Sequence, residues 1–273
     1  MRGENMRVLT SEFAILFLAF FVLVCPTPES PCAVRYLSLH EGKETEIRIV
    51  FGYKDARPAR FVADRYERIS FSERLGGMGF QRDPEDADLY VLENNHHWRV
   101  RLVHSSVGPD DESNRKDSFQ LWQSAYAAES FYKGLGQAPV VLYDGHSRGG
   151  GGPDFAPPRL DAKGNANLYW YRAQEPGFKR LIQELEAASH PTKVLGLFSC
   201  KSDDHFSKAI LSAQKSISLI SSEELLYHTD ALENMEGLVR GLLGDYCKKK
   251  LDAAVEAESS GGKTKISGFL NLD

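Results

Sequence analysis

Two apolar runs of the same design, ending 54 residues apart at His146 and Cys200, constrain this chain more than any other feature of it. The first, Pro139-Val140-Val141-Leu142-Tyr143-Asp144-Gly145-His146-Ser147-Arg148, leads into the glycines Gly149 to Gly152. The second, Thr192-Lys193-Val194-Leu195-Gly196-Leu197-Phe198-Ser199-Cys200, leads into the polar turn Lys201-Ser202-Asp203-Asp204. Runs this short, apolar along most of their length and closed by turn residues, read as strands buried on both faces. A helical segment over residues 175–188 separates them, which is the connection that parallel neighbours in one sheet require. Open α/β sheets hold their ligands beyond the carboxyl ends of the strands, so the His146 ring and the Cys200 thiol are expected side by side at that edge, within a few ångströms.

The remaining segments extend the same alternation. Residues 46–53 read as a first strand, 88–94 as a second and 98–104 as a half-exposed third, with a turn at Asn94-Asn95-His96-His97. Helical spacing covers 61–75, closed by Gly76, Gly77 and Gly79, and 110–135, with Phe119, Trp122, Tyr126, Phe131 and Leu135 on one face. Further on come a helix at 206–214, a strand at 216–221 and one or two closing helices over 233–255. Residues 149–171, rich in Gly and Pro and without periodicity, form a long loop of the kind that is usually functional or disordered, and Tyr169-Trp170-Tyr171 in it could line a cleft. Strands alternating with helices predict α/β architecture: a three-layer α/β/α sandwich with a mainly parallel sheet.

The first 33 residues stand apart. Arg2 and Arg7 precede the unbroken apolar run from Phe13 to Cys25, and a Pro-rich stretch follows. That run is short for a membrane span and matches the apolar region of a secretory signal, so residues 1–33 are expected to be a signal peptide or a membrane anchor and residues 34–273 a single domain. Cys25 also sits where a lipoprotein signal would place its cysteine, although Val24 is larger than that pattern wants. The chain is accordingly expected to be exported: secreted, periplasmic or membrane-anchored. Of the four cysteines only Cys200 and Cys247 fall well inside the domain, too far apart for zinc spacing or a disulfide framework, though Cys32 or Cys247 could pair in an oxidising compartment. The net charge of −5 carries no basic footprint for a nucleic-acid backbone, so nucleic acid is not an expected partner. His96, His97 and His104 suggest no metal site, because adjacent imidazoles in a strand point to opposite faces, and no cofactor is implied.

Two nucleophiles compete. Gly145-His146-Ser147-Arg148-Gly149 fits the G-x-S-x-G nucleophile elbow of α/β-hydrolases, with Ser147 as nucleophile and His205 or His228 as base. That elbow must run straight into a helix, whereas four glycines, Pro153 and Pro157-Pro158 follow here. An apolar strand ending in Gly-His, then a crossover helix, then an apolar strand ending in Ser-Cys resembles the caspase-like cysteine peptidases, the broad group of caspases, legumains, gingipains, separases and bacterial CHAT-domain proteins. The resemblance spans residues 47–243. It implies a caspase-like domain in which Cys200 is the nucleophile, His146 the general base and acid, and the amides of Cys200 and of Ser147 the oxyanion site. Where that family usually has glycine after its histidine, this chain has Ser147.

The function expected is therefore an exported cysteine endopeptidase acting on a peptide or protein through a thioester. A non-catalytic peptide-binding module of the same fold and the Ser147 hydrolase are the alternatives. Asp203 and Asp204, directly after the Cys200 strand, are expected to border the cleft and favour a basic substrate side chain unless they cap the next helix, whereas Arg148 would favour an acidic one.

Overall fold

The computed structural model describes residues 44–55, 60–95, 97–256 and 263–268, together with Tyr36, Leu39 and Leu270. The expected leader, Cys25, Cys32 and His96 lie outside the described residues.

One eight-stranded sheet organises them. Its strands are β1 (Thr45–Phe51), β2 (Phe80–Arg82), β3 (Leu89–Leu92), β4 (Trp98–His104), β5 (Val140–Asp144), β6 (Val194–Phe198), β7 (Ser218–Ser222) and β8 (Thr264–Ser267), in the order β2-β3-β4-β1-β5-β6-β7-β8. The five central strands, β4-β1-β5-β6-β7, are mutually parallel; at the two edges β3 pairs antiparallel with β4, β2 antiparallel with β3, and β8 antiparallel with β7. The chain is thus α/β with a mainly parallel sheet, in three layers. β5 and β6 are buried at every residue, as their uninterrupted apolar sequences require of strands covered on both faces.

Helices cover each face. α1 (Asp64–Gly77), α7 (His228–Leu243) and α8 (Lys248–Val255) pack Phe71, Leu75, Met235, Leu238 and Leu251 onto Ile47, Ile49, Leu142 and Val194. On the other face α3 (Gln120–Gly134), α5 (Pro176–Ala187) and α6 (Lys208–Ala213) bring Phe131, Leu181, Leu185 and Ile210 against Val50, Val141, Leu195 and Leu197. Between them lie the short helices α2 (Asp111–Lys116) and α4 (Leu168–Gln174).

Several elements depart from the sequence reading. The helix expected over 110–135 is two, because Asp110 caps α2 by accepting from Ser113 N–H at 2.8 Å while Asp117 turns extended (ψ 123°) and breaks the run. The face expected to be apolar is rotated: Gln120, Ser124, Ala127 and Phe131 point inward, whereas Phe119 and Trp122 are exposed, Trp122 stacking on Tyr126. Residues 168–174 leave the predicted loop as α4. β2 and β8 escaped prediction because each buries a single residue, Phe80 and Ile266, too little for periodicity to register.

Candidate functional site

β5 and β6 pair in parallel with Asp144 opposite Phe198, so the next residues of both strands leave the sheet together at its carboxyl edge. His146 and Cys200 line one cavity there, of about 140 Å3, with Lys54, Asp144, Phe198, Leu226 and His228 among its other walls.

The His146 turn is held from below. The buried Tyr143 hydroxyl donates to His146 O at 3.0 Å and accepts from Asp154 N–H at 3.0 Å, tying the turn to the Gly-rich loop. Gly145 has no substitute in that arrangement, since a Cβ there would collide with the Tyr143 hydroxyl and ring. Beyond it, Gly149, Gly150 and Gly152 take positive φ (63°, 98° and 100°), which reverses the chain over one 3-10 turn at Arg148–Gly150. Arg148 is buried in that turn, its Nε 2.8 Å from Asp154 Oδ2 and its guanidinium over the Tyr171 ring.

The Cys200 turn is braced against the loop after β7. Lys201 N–H donates to Glu224 O, and Ser202 Oγ donates to Leu197 O while accepting from Ser222 N–H. Cys200 is a free, half-buried thiol whose Sγ sits against the Leu226 backbone, 3.5 Å from its N–H and 3.7 Å from its O. Neither ring nitrogen of His146 has a hydrogen-bond partner among the described residues, and no acceptor there takes the amide N–H of Ser147 or of Cys200. Two backbone donors without an acceptor among the described residues therefore stand just beyond the ends of adjacent strands.

Desolvation by the surrounding walls, then the positive charges of Arg148 and Lys54, hold the His146 ring below the ordinary imidazole range. The residue is exposed to solvent, and hydration opposes the first of these causes. The imidazole is neutral at neutral pH and able to accept a proton.

No family model, curated protein or solved structure matches this chain.

The other candidate residues lie apart from the cavity. Ser147 is buried, with ordinary right-handed backbone (φ −75°, ψ −10°), and does not line it. The strand-to-helix elbow is missing, since only the three-residue turn follows. Arg148 is engaged by Asp154 and Tyr171. Asp203 neither faces the cavity nor caps a helix: it binds Lys265 Nζ at 2.9 Å and Ser221 Oγ at 3.0 Å, and these partners outweigh burial to hold its carboxyl below the usual range. Asp204 is exposed on the neighbouring turn. In α4, Tyr171 is buried beneath Arg148, while Tyr169 is exposed and Trp170 lies under the Arg159 guanidinium, so this aromatic run builds the loop and not the cavity.

The sequence reading missed a buried ionic cluster beside His146. Lys54, just beyond β1, donates to Glu67 Oε1 and Oε2 at 2.9 and 2.7 Å and to Asp144 Oδ1 at 2.6 Å. Burial would lower the lysine, but Asp144 and Glu67 outweigh it and hold the ammonium above its ordinary range. Desolvation, then the Asp144 charge, push Glu67 well up. Asp64 lies next to this cluster and accepts from the backbone N–H groups of Lys54, Ser105 and Ser106; desolvation takes its pKa up to about 6 against those donors. A signal was present: Glu67 shares the i, i+4 row of Phe71 and Leu75, a charge on an apolar stripe, and Asp144 interrupts an otherwise apolar strand.

Proposed function

We propose that the chain is an exported, caspase-like cysteine peptidase. The observation that carries this reading is the emergence of His146 and Cys200 from neighbouring parallel strands into one cavity. In the first step Cys200 turns from Leu226, gives its proton to His146 Nδ1 or Nε2, and its thiolate attacks the substrate carbonyl carbon. The oxyanion so formed is met by the N–H groups of Ser147 and Cys200. His146 then returns the proton to the leaving amine as the C–N bond breaks, leaving a thioester that water, deprotonated by His146, hydrolyses. Export is supported by Cys247, which is disulfide-bonded, a state that persists in oxidising compartments.

One observation favours the non-catalytic alternative: Cys200 Sγ is bound to the Leu226 backbone and not to His146. A screen of peptide substrates with the wild type, Cys200→Ala and Ser147→Ala separates the readings. Cys200→Ala abolishes cleavage and Ser147→Ala lowers it modestly; activity retained in Cys200→Ala and lost in Ser147→Ala overturns the thiol mechanism. Because His146 titrates below the ordinary histidine value of about 6.5, the acidic limb of kcat/KM falls below that pH. A limb at or above it argues against His146 as the base.

A further inference from the structure

The cavity beside His146 and Cys200 has a chemically one-sided floor. Its buried cation, Lys54, has three N–H donors, and all three are committed: two to Glu67 and one to Asp144. An acidic side chain entering the cavity finds no free ammonium there. The acceptors are a different matter. Asp144 is 1% exposed, lines the cavity, and its Oδ2 takes no donor among the described residues. His228 lines it too, at the first residue of α7, and its buried Nε2 also lacks a partner. Desolvation, then Lys54, keep this imidazole below its ordinary range, so it is neutral and one of its nitrogens is an acceptor. The carboxylate of Asp55 is a further acidic member of the wall. Apolar groups from Val62, Phe198, Leu226 and Ala231 surround these polar atoms.

We propose that this cavity receives a cationic side chain, lysine or arginine, of a peptide, with Asp144 Oδ2 as its principal acceptor and His228 as a second. The proposal rests on the peptidase reading and names its specificity. The apolar walls suit the aliphatic stem of such a side chain, whose charged head then reaches the floor. Charge balance points the same way. Glu67 and Asp144 share one ammonium, so this cluster has one carboxyl group more than it has cations, and desolvation holds both carboxyls above the usual range. A bound lysine or arginine supplies a second positive charge to the two carboxyl groups. Of the residues expected to set specificity, Arg148 is paired with Asp154 and Asp203 with Lys265, and Asp204 is exposed away from the lining.

Two measurements test this, arranged so that its failure and that of the peptidase reading are distinguishable. In the first, matched peptides carrying Lys, Arg, Leu, Asn or Asp before the scissile bond are compared by kcat/KM. Lys and Arg exceed Asp by at least a hundredfold, and the ratio of Lys to Leu falls at least tenfold in Asp144→Asn. A preference for Asp or Asn, or a cation preference undiminished in folded Asp144→Asn, overturns the proposal while leaving the peptidase intact. The second uses wild-type protein and needs no turnover: alkylation of Cys200 by iodoacetamide is followed with agmatine, with glutarate and without either. Agmatine slows labelling several-fold and glutarate does not. Absence of cleavage with agmatine-selective protection removes the peptidase reading and keeps the cation site; equal protection by both compounds, or by neither, overturns the site itself.

Discussion

Two buried ionic clusters flank His146, and they are built on opposite principles. On one side, Arg148 meets Asp154 one to one: the carboxylate takes Arg148 Nε and the Tyr171 hydroxyl on Oδ2 and Ala156 N–H on Oδ1. Every oxygen is occupied, and the cluster faces the loop. On the other side, Lys54 serves two carboxylates, and one oxygen of Asp144, a residue that lines the cavity, takes no donor among the described residues. Buried charge is costly unless balanced. A balanced pair fastens a turn, whereas on the proposal above the pair left one charge short is the one that meets a ligand. The difference separates two charged sets that lie close to the same histidine.

Removing Arg148 is the strongest way to break this comparison. Arg148→Ala leaves the half-buried Asp154 without its cation, and we expect a loss of about 2 kcal/mol of folding free energy, read by urea denaturation. Asp144→Asn, by contrast, removes the excess charge and costs about 1 kcal/mol or less in the same titration. Equal losses in the two variants would mean that both clusters are scaffolding.

The turn itself is tested next. Gly145→Ala drives a methyl group into the Tyr143 hydroxyl, and overpacking of that kind costs about 1–3 kcal/mol. The double variant with Tyr143→Phe is destabilised by less than the sum of the two single changes, because each disturbs the same contact. Strict additivity would detach Tyr143 from the turn.

The smallest effect concerns Glu67. Desolvation, then the Asp144 charge, raise its pKa on folding above the ordinary glutamate value of about 4.3. The stability this contributes is complete below that value and is lost as pH rises through the folded-state pKa. Glu67→Gln, which does not titrate, therefore loses less stability than the wild type as pH rises above that value, in paired denaturation curves. A greater loss in the variant would place the excess charge elsewhere.

Much of the architecture was legible in order: the two uninterrupted apolar runs became β5 and β6, adjacent and parallel, and 98–104 became β4 within its expected bounds. Periodicity and turn residues act over a few positions, so they determine a strand and where it stops, and hence that His146 and Cys200 stand at strand ends. They could not tell which charged residue beside those ends is free. Arg148, Asp203 and Asp204 follow the strands directly and looked like specificity residues, yet Arg148 is neutralised by Asp154 in the next loop and Asp203 by Lys265 of β8, 62 residues on. Lys54, Glu67, Asp144 and His228 come from four separate segments. Only the tertiary structure brings them together, because whether a buried charge is balanced depends on partners that chain distance does not constrain.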